Sequence, residues 1–207
     1  MTQGGRLSFT VLGDSIAFGQ GAARPADTAG ARLAADLVAA GMPARLHVVA
    51  VPGAVSAGLA GQTRRALAHR PNVALVITGA NDLSRLVPPQ TAADHLGEAV
   101  QKLVGAGAEV VVAPAPDLSV VPWVPPALRQ VVRASSELLR EAQTRAALRA
   151  GARVADVNGE TSAAFAGDVR LFSADRFHPS SAGYAVIAAA LRPAVLAAAD
   201  AALGRSA

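Results

Sequence analysis

The chain alternates short, β-branched apolar runs with longer segments rich in Ala, Leu and Arg, and this alternation constrains its fold more than any other feature. The apolar runs predict strands at residues 7–12, 46–51, 73–78, 109–113 and 153–157. Segments of helical length occupy residues 28–40, 56–69, 91–105, 126–150 and 180–203. Because the runs are continuously apolar, the pattern predicts an α/β fold in which crossover helices cover both faces of a five-stranded parallel sheet.

The composition fits one globular domain over residues 1–207. Hydrophobic residues make up 52% of the chain and charged residues 16%, which excludes a disordered or collagen-like protein. A chain of 207 residues can bury one sizeable core, and nothing in the sequence indicates a division into two domains. Because the chain has no cysteine, it has no disulfide framework, no thiolate metal site and no cysteine nucleophile.

The formal net charge of +4 comes almost entirely from arginine, since Lys102 is the only lysine. The arginines are scattered over the predicted helices and form no basic tract, and no aromatic RNA-binding motif accompanies them. We therefore interpret them as solvated surface residues and expect no nucleic-acid partner.

The N-terminal segment bears on where the protein acts. Residues 1–5 lead into the first strand without the basic and apolar regions of a signal peptide. No long uninterrupted apolar run offers a clear membrane span. The expectation is a cytoplasmic protein without stable membrane insertion.

Clusters of polar residues and glycine follow four of the predicted strands. In chain order they are Gly13-Asp14-Ser15, Gly53, Asn81-Asp82 and the segment from Asp175 to His178. In a parallel α/β sheet, reactive groups gather beyond the carboxyl ends of the strands. We therefore expect all four clusters to meet at one edge of the sheet.

These clusters contain the residue types that nucleophilic catalysis by serine requires. Ser15 lies where the first strand turns toward a helix, His178 is a candidate base, and Asp175 is a candidate partner for the imidazole. Gly53 offers a backbone N–H and Asn81 a side-chain amide for the oxyanion that forms on attack. We interpret Asp14 and Asp82 as residues that shape the turns around the site.

The same residues resemble the four signature blocks of the SGNH hydrolase superfamily, also called the GDSL esterase/lipase family. The blocks, in the family's order, are Gly13-Asp14-Ser15-Ile16, Gly53, Gly79-Ala80-Asn81-Asp82 and Asp175-Arg176-Phe177-His178-Pro179. The resemblance spans residues 13–179 and implies a flavodoxin-like, three-layer α/β/α sandwich. It also implies Ser15 as nucleophile, His178 and Asp175 as its catalytic partners, and donors to the oxyanion from Ser15, Gly53 and Asn81.

Two positions depart from the family pattern. Ile16 replaces the leucine of the family's name, a swap of similar volume that should affect packing only. The block around Gly53 lacks the fuller polar pattern, which leaves Gly58 as an alternative oxyanion glycine. We favour Gly53 because it directly follows the strand.

Residues 114–126 form the one irregular connection, because their prolines remove backbone donors and restrict the preceding residues. Val121, Trp123 and Val124 are candidates for an apolar wall of an acyl pocket. The alternative is a rigid crossover on the surface.

The sequence therefore predicts a serine esterase that cleaves small-molecule carboxylic esters with short to medium acyl chains through an acyl-Ser15 intermediate. The alternatives on the same site are acyl transfer, thioester hydrolysis, lysophospholipid hydrolysis or a non-catalytic binding domain. A nucleotide-binding domain fits less well, because residues 13–19 lack the Gly-x-Gly-x-x-Gly spacing and a phosphate-binding lysine. No cofactor and no metal are expected, and the oligomeric state stays open.

Overall fold

A five-stranded, all-parallel sheet organises the computed structural model, which describes residues 6–155, 157 and 159–205. The strands are β1 (Leu7–Gly13), β2 (Ala44–Val48), β3 (Val73–Ile77), β4 (Glu109–Ala113) and β5 (Arg153–Val154). They lie in the order β2-β1-β3-β4-β5, which confirms the predicted parallel sheet. The chain changes direction across the sheet between β1 and β3, so a switch point lies at their carboxyl ends.

Helices cover both faces of this sheet. In chain order they are α1 (Ser15–Phe18), α2 (Ala29–Ala39), α3 (Leu59–Ala68), α4 (Ala80–Ser84), α5 (Pro89–Gly105), α6 (Arg129–Arg149), α7 (Gly159–Gly167) and α8 (Ser181–Gly204). Short 3-10 turns occupy Pro25–Asp27, Ser56–Gly58, Leu118–Val120, Pro126–Leu128 and Val169–Leu171.

Successive strand residues point to opposite faces, and each face has its own apolar core. On one face, α2 and α8 pack on residues such as Phe9, Val11 and Leu75. On the other face, α3, α5 and α6 pack on residues such as Leu12 and Val76. The three-layer α/β/α sandwich expected from the resemblance is therefore present.

The predicted boundaries differ from the observed ones mainly near the carboxyl edge of the sheet. β2 begins and ends earlier than predicted, because its register pairs Ala44 with Leu7 at the start of β1. β5 is regular only over Arg153–Val154, and the predicted strand residue Asp156 lies outside the described residues. The short helices α1, α4 and α7 were not predicted, because helices of so few residues carry little periodicity.

The last helix, α8, is long and apolar enough to cross a membrane by length and composition alone. In this fold, Leu191, Val195 and Ala198 of α8 belong instead to the core under β1 and β3. Ser180 caps the helix by accepting a hydrogen bond from the Gly183 N–H. The helix thereby begins at the carboxyl edge, just after the segment that contains His178.

Candidate active site

Ser15 lies at the turn between β1 and α1. The turn depends on Gly13, whose φ is +135° and whose Cβ, if it had one, would lie 1.8 Å from the Ile77 carbonyl oxygen. The Asp14 side chain then caps α1 by accepting a hydrogen bond of 2.9 Å from the Ile16 N–H. As the first residue of α1, Ser15 is only 4% exposed.

The structure brings Ser15, His178 and Asp175 together in one chain of hydrogen bonds, as the sequence predicts. His178 Nε2 lies 2.9 Å from Ser15 Oγ, and His178 Nδ1 lies 2.6 Å from Asp175 Oδ2. A carboxylate on Nδ1 fixes the proton there, so that Nε2 is left to accept from the serine hydroxyl. The geometry is that of a nucleophile, a base and an orienting acid.

Asp175 is held in place by its own turn. Its Oδ1 accepts hydrogen bonds from the Ser173 hydroxyl at 2.8 Å and from the backbone N–H groups of Phe177 and His178 at 2.9 Å. Partial burial acts to raise the pKa of Asp175, but the hydrogen bonds from His178, Phe177 and Ser173 prevail and hold it well below its ordinary range. The Asp175 carboxylate, which faces the imidazole, is therefore ionised at neutral pH.

Three donors near Ser15 have no hydrogen-bond acceptor among the described residues. They are the backbone N–H of Ser15, the backbone N–H of Gly53 and the side-chain amide of Asn81. Gly58 differs, because its N–H already donates to the Val55 carbonyl oxygen at 2.8 Å. Of the two glycines that the sequence left open, Gly53 is the one with a donor to offer.

The loop that carries Gly53 is braced by α4. Asp82, fully buried, accepts hydrogen bonds from the Ser56 N–H at 3.0 and 3.1 Å and from its hydroxyl at 3.0 Å. Arg85 donates to the Gly53 carbonyl oxygen at 2.9 Å. Asp82 thus supports the loop after β2 from its position in α4, the helix that follows β3, which goes beyond the role interpreted from the sequence.

Two buried glutamines hold the strand ends, and sequence reasoning missed both. Gln62 accepts from the Gly13 N–H at 2.7 Å and donates to the Gly13 carbonyl oxygen at 2.8 Å. Gln143 accepts from the Ala115 N–H at 2.8 Å and lies 3.4 Å from the Thr78 carbonyl oxygen. Each glutamine interrupts the apolar face of its helix, a signal that a comparison of helix faces would have found.

Asp14 is buried directly before Ser15 in the chain. The pKa of Asp14 is raised to about 7, chiefly by burial; the nearby Asp82 carboxylate also raises it, while hydrogen bonds from the backbone N–H groups of Ile16, Ala80 and Gly79 lower it. Its Oδ2 makes no hydrogen bond of ordinary geometry with the described residues. A carboxyl group in this setting favours its neutral form.

An apolar cavity of about 80 Å³ opens beside the site. Residues that flank Ser15 and His178 contribute to its wall, and the rest comes from strand ends, the loop after β4, α7 and α8. Representative lining residues are Ile16, Phe177, Pro179, Val121, Phe165 and Ile187. Ser15 and His178 do not line the cavity themselves, but their neighbours in sequence Ile16, Phe177 and Pro179 do.

The three candidate substrate contacts occupy different positions. Val121 is buried and lines the cavity. Val124 packs against the apolar cluster around Val121 without lining the cavity. Trp123 is exposed, and its ring lies 5.3 Å from the ring of Phe177. Part of the connection at residues 114–126 therefore faces the cavity, and part faces solvent.

The strand order and the hydrogen-bonded set of Asp175, His178 and Ser15 at the carboxyl edge define the class of the protein, an SGNH-type hydrolase. The model of the GDSL-like lipase/acylhydrolase family matches residues 11–186. The chain belongs to this family.

A curated relative is the GDSL-like esterase Rv1075c of Mycobacterium tuberculosis, which is 35% identical over 182 residues. The match covers 86% of this chain and 58% of the relative, so the chain spans little more than half of that protein's length.

Solved structures share the fold at lower identity. LAE5, an α/β hydrolase from the metagenome of Lake Arreo in Spain, superimposes with a TM-score of 0.75 at 21% identity, over 91% of this chain and 94% of LAE5. TesA gives a TM-score of 0.73 at 22% identity, over 90% and 97% of the two chains. The psychrotrophic esterase EstA from Pseudoalteromonas sp. gives 0.71 at 20% identity, over 91% and 96%.

Proposed function

We propose that this protein hydrolyses carboxylic esters through an acyl-Ser15 intermediate. The observation that carries the proposal is the continuous chain of hydrogen bonds from Asp175 through His178 to Ser15 Oγ. In the first step His178 Nε2 takes the hydroxyl proton while Ser15 Oγ attacks the ester carbonyl carbon. The same nitrogen then gives the proton to the departing alcohol.

The second half of the reaction reuses the same groups. A water molecule takes the place of the alcohol, and His178 removes its proton as the water attacks the acyl carbon. The bond between the acyl carbon and Ser15 Oγ then breaks, His178 returns the proton to Ser15 Oγ, and the carboxylic acid leaves. In both halves a negative charge develops on the carbonyl oxygen. The unengaged N–H donors of Ser15, Gly53 and Asn81 are the groups available to stabilise it.

The acyl group is proposed to occupy the apolar cavity. Its lining contains Ile16 and Phe177, the neighbours in sequence of Ser15 and His178. A cavity of about 80 Å³ suits a short or medium acyl chain. The wall is mainly aliphatic and aromatic, so it holds the chain by burial of apolar surface rather than by hydrogen bonds.

The test is an active-site-directed fluorophosphonate followed by mass analysis of the labelled peptide, together with assays on short-chain aryl esters. We expect label on Ser15, and a loss of ester cleavage in the Ser15→Ala variant with no change in its unfolding midpoint. Ser84→Ala is the matched control, because Ser84 is an exposed serine of α4 whose hydroxyl donates to the Asn81 carbonyl oxygen. Label on another residue, or wild-type rates in Ser15→Ala, would show the nucleophile to be wrong.

A further inference from the structure

Large apolar side chains are exposed around the mouth of the site. Among the described residues, those at the carboxyl edge are Phe18, Val51, Leu86, Trp123, Leu128, Val131 and Val169. Single exposed apolar residues are ordinary on protein surfaces, but a group of them around one opening indicates an interaction surface.

Phe18 and Trp123 lie close to Ser15 and His178, respectively, in the structure. Phe18 lies in the same helical turn as Ser15, at the end of α1. Trp123 packs on the ring of Phe177, which in turn lies 4.9 Å from the ring of His178. Both side chains therefore face solvent within one or two contacts of the Ser15–His178 pair.

Leu86 lies just after α4, the helix that contains Asn81, and its backbone conformation is strained. It is 88% exposed, and its φ of +53° places a bulky residue in the left-handed region. That conformation is unfavourable for a residue with a Cβ, and the side chain is not buried to offset it. Its neighbour Arg85 donates to the Gly53 carbonyl oxygen, so Leu86 is next in sequence to a residue that contacts the Gly53 loop.

The charged residues on this edge leave an excess of cations. Arg85, Arg129 and Arg176 are exposed and form no ion pair with any described residue. Most carboxylates of the edge already have cationic or imidazole partners, namely Asp27, Asp117, Asp168 and Asp175. Glu160, at the start of α7, is an exposed acid whose negative charge offsets one of the three arginine charges.

We propose that this carboxyl edge docks onto an anionic lipid surface. Phe18, Leu86 and Trp123 would enter the headgroup region, and the unpaired arginines would contact the anionic headgroups. Apolar side chains mixed with unpaired cations match a lipid interface, which presents negative charge above a hydrocarbon layer. The site mouth then faces the lipid, from which an acyl chain has a short path into the apolar cavity.

Docking goes beyond the proposed ester hydrolysis, because adsorption to lipid needs no turnover. Binding is therefore measured on the Ser15→Ala protein, so that a failure of docking is separate from a failure of the catalytic proposal. Trp123 is the only tryptophan of the chain, so its emission reports directly on this surface.

The experiment mixes this protein with sucrose-loaded vesicles of phosphatidylcholine alone or with phosphatidylglycerol. We expect sedimentation with the mixed vesicles, a blue shift of Trp123 emission, and weakening of both by salt. Leu86→Asn should weaken vesicle binding about tenfold, because it removes an apolar side chain from the interface while asparagine tolerates the left-handed backbone. Leu148→Asn is the matched control, since Leu148 is 57% exposed near the end of α6, at the opposite edge of the sheet.

Three outcomes would overturn the proposal. The first is the absence of sedimentation with phosphatidylglycerol vesicles. The second is an equal loss of binding in Leu86→Asn and Leu148→Asn, which would indicate non-specific adsorption. The third is a Trp123 blue shift that depends on protein concentration without vesicles and disappears in Leu86→Asn, which would show that the surface joins two copies of this chain.

Discussion

Gln62 hydrogen-bonds both backbone groups of Gly13, accepting from its N–H at 2.7 Å and donating to its carbonyl oxygen at 2.8 Å. Gly13 is the last residue of β1 and lies two residues before Ser15. The backbone that leads into Ser15 is therefore held by a side chain from α3 as well as by the sheet. A backbone group fixed in this way keeps Ser15 Oγ at hydrogen-bond distance from His178.

Replacing Gln62 with methionine keeps most of the volume and removes both hydrogen bonds. We expect a loss of about 2–4 kcal/mol in the free energy of unfolding, because a buried N–H and a buried carbonyl lose a partner. We also expect kcat to fall with little change in KM, because Ser15 loses its alignment while the apolar cavity is untouched. Denaturant unfolding and steady-state kinetics on one aryl ester measure the two effects.

The control for this variant is Gln143→Met. Gln143, a buried residue of α6, hydrogen-bonds Ala115 and Thr78. It should lose similar stability with a smaller loss of kcat. If both variants lost kcat equally, Gln62 would have a general structural role and no specific effect on the position of Ser15.

A comparison of Gly53 with Gly41 separates the effect of a positive φ on stability from an effect on kcat. Their φ angles are +77° and +79°, and a Cβ on either would meet no atom closer than 3.8 Å. Alanine at either position should therefore cost a similar amount of stability, about 1–2 kcal/mol. Only Gly53→Ala should also lower kcat, because alanine is strained at this positive φ and the resulting backbone shift would move the Gly53 N–H, which has no acceptor among the described residues, from its position as a candidate oxyanion donor. Equal kcat values in the two variants would point away from Gly53 as an oxyanion donor.

Asp14 should make stability depend on pH. Its pKa of about 7 in the folded protein lies above the ordinary 3.8, so the folded state holds the proton more tightly than the unfolded state does. The folded protein is then penalised progressively as pH rises from about 4 to about 7, and the penalty is complete above pH 7. Asp14→Asn removes this penalty.

The stability of Asp14→Asn relative to the parent protein should rise across that pH interval. The change should be on the order of 4 kcal/mol, at about 1.4 kcal/mol for each pKa unit. Chemical denaturation at several pH values measures it. A difference between the two proteins that stayed constant from pH 4 to pH 8 would contradict a buried, neutral Asp14.

Substitutions at Val120 and Val124 test which side of the loop at residues 114–126 contacts the acyl group. Val120 lines the apolar cavity, whereas Val124 packs on the neighbouring cluster without lining it. Val120→Phe should fill the cavity and lower kcat/KM for hexanoyl and octanoyl esters about tenfold relative to acetyl esters. Val124→Phe should leave that ratio unchanged. The reverse pattern would place the acyl group on the Val124 side of the loop.

Much of the fold follows from local patterns along the chain. The apolar runs identify all five strands because continuous burial leaves a signal at every residue of a parallel strand. The short helices α1 and α4 escape prediction because each is held by contacts to other elements rather than by its own periodicity. The start of α3 is likewise displaced to Leu59, since Ser56 is held by Asp82 in a 3-10 turn.

The sequence by itself determined the sheet, its parallel sense and the residues that meet at its carboxyl edge, because these depend on apolar periodicity and on short motifs that follow strands. Only the tertiary structure decided that Gly53 and not Gly58 has a free N–H, that Gln62 holds the Gly13 peptide, and that Trp123 faces solvent. These properties depend on hydrogen bonds and packing between residues far apart in the chain. Such contacts are fixed by the directions of neighbouring elements in space, which no local pattern contains.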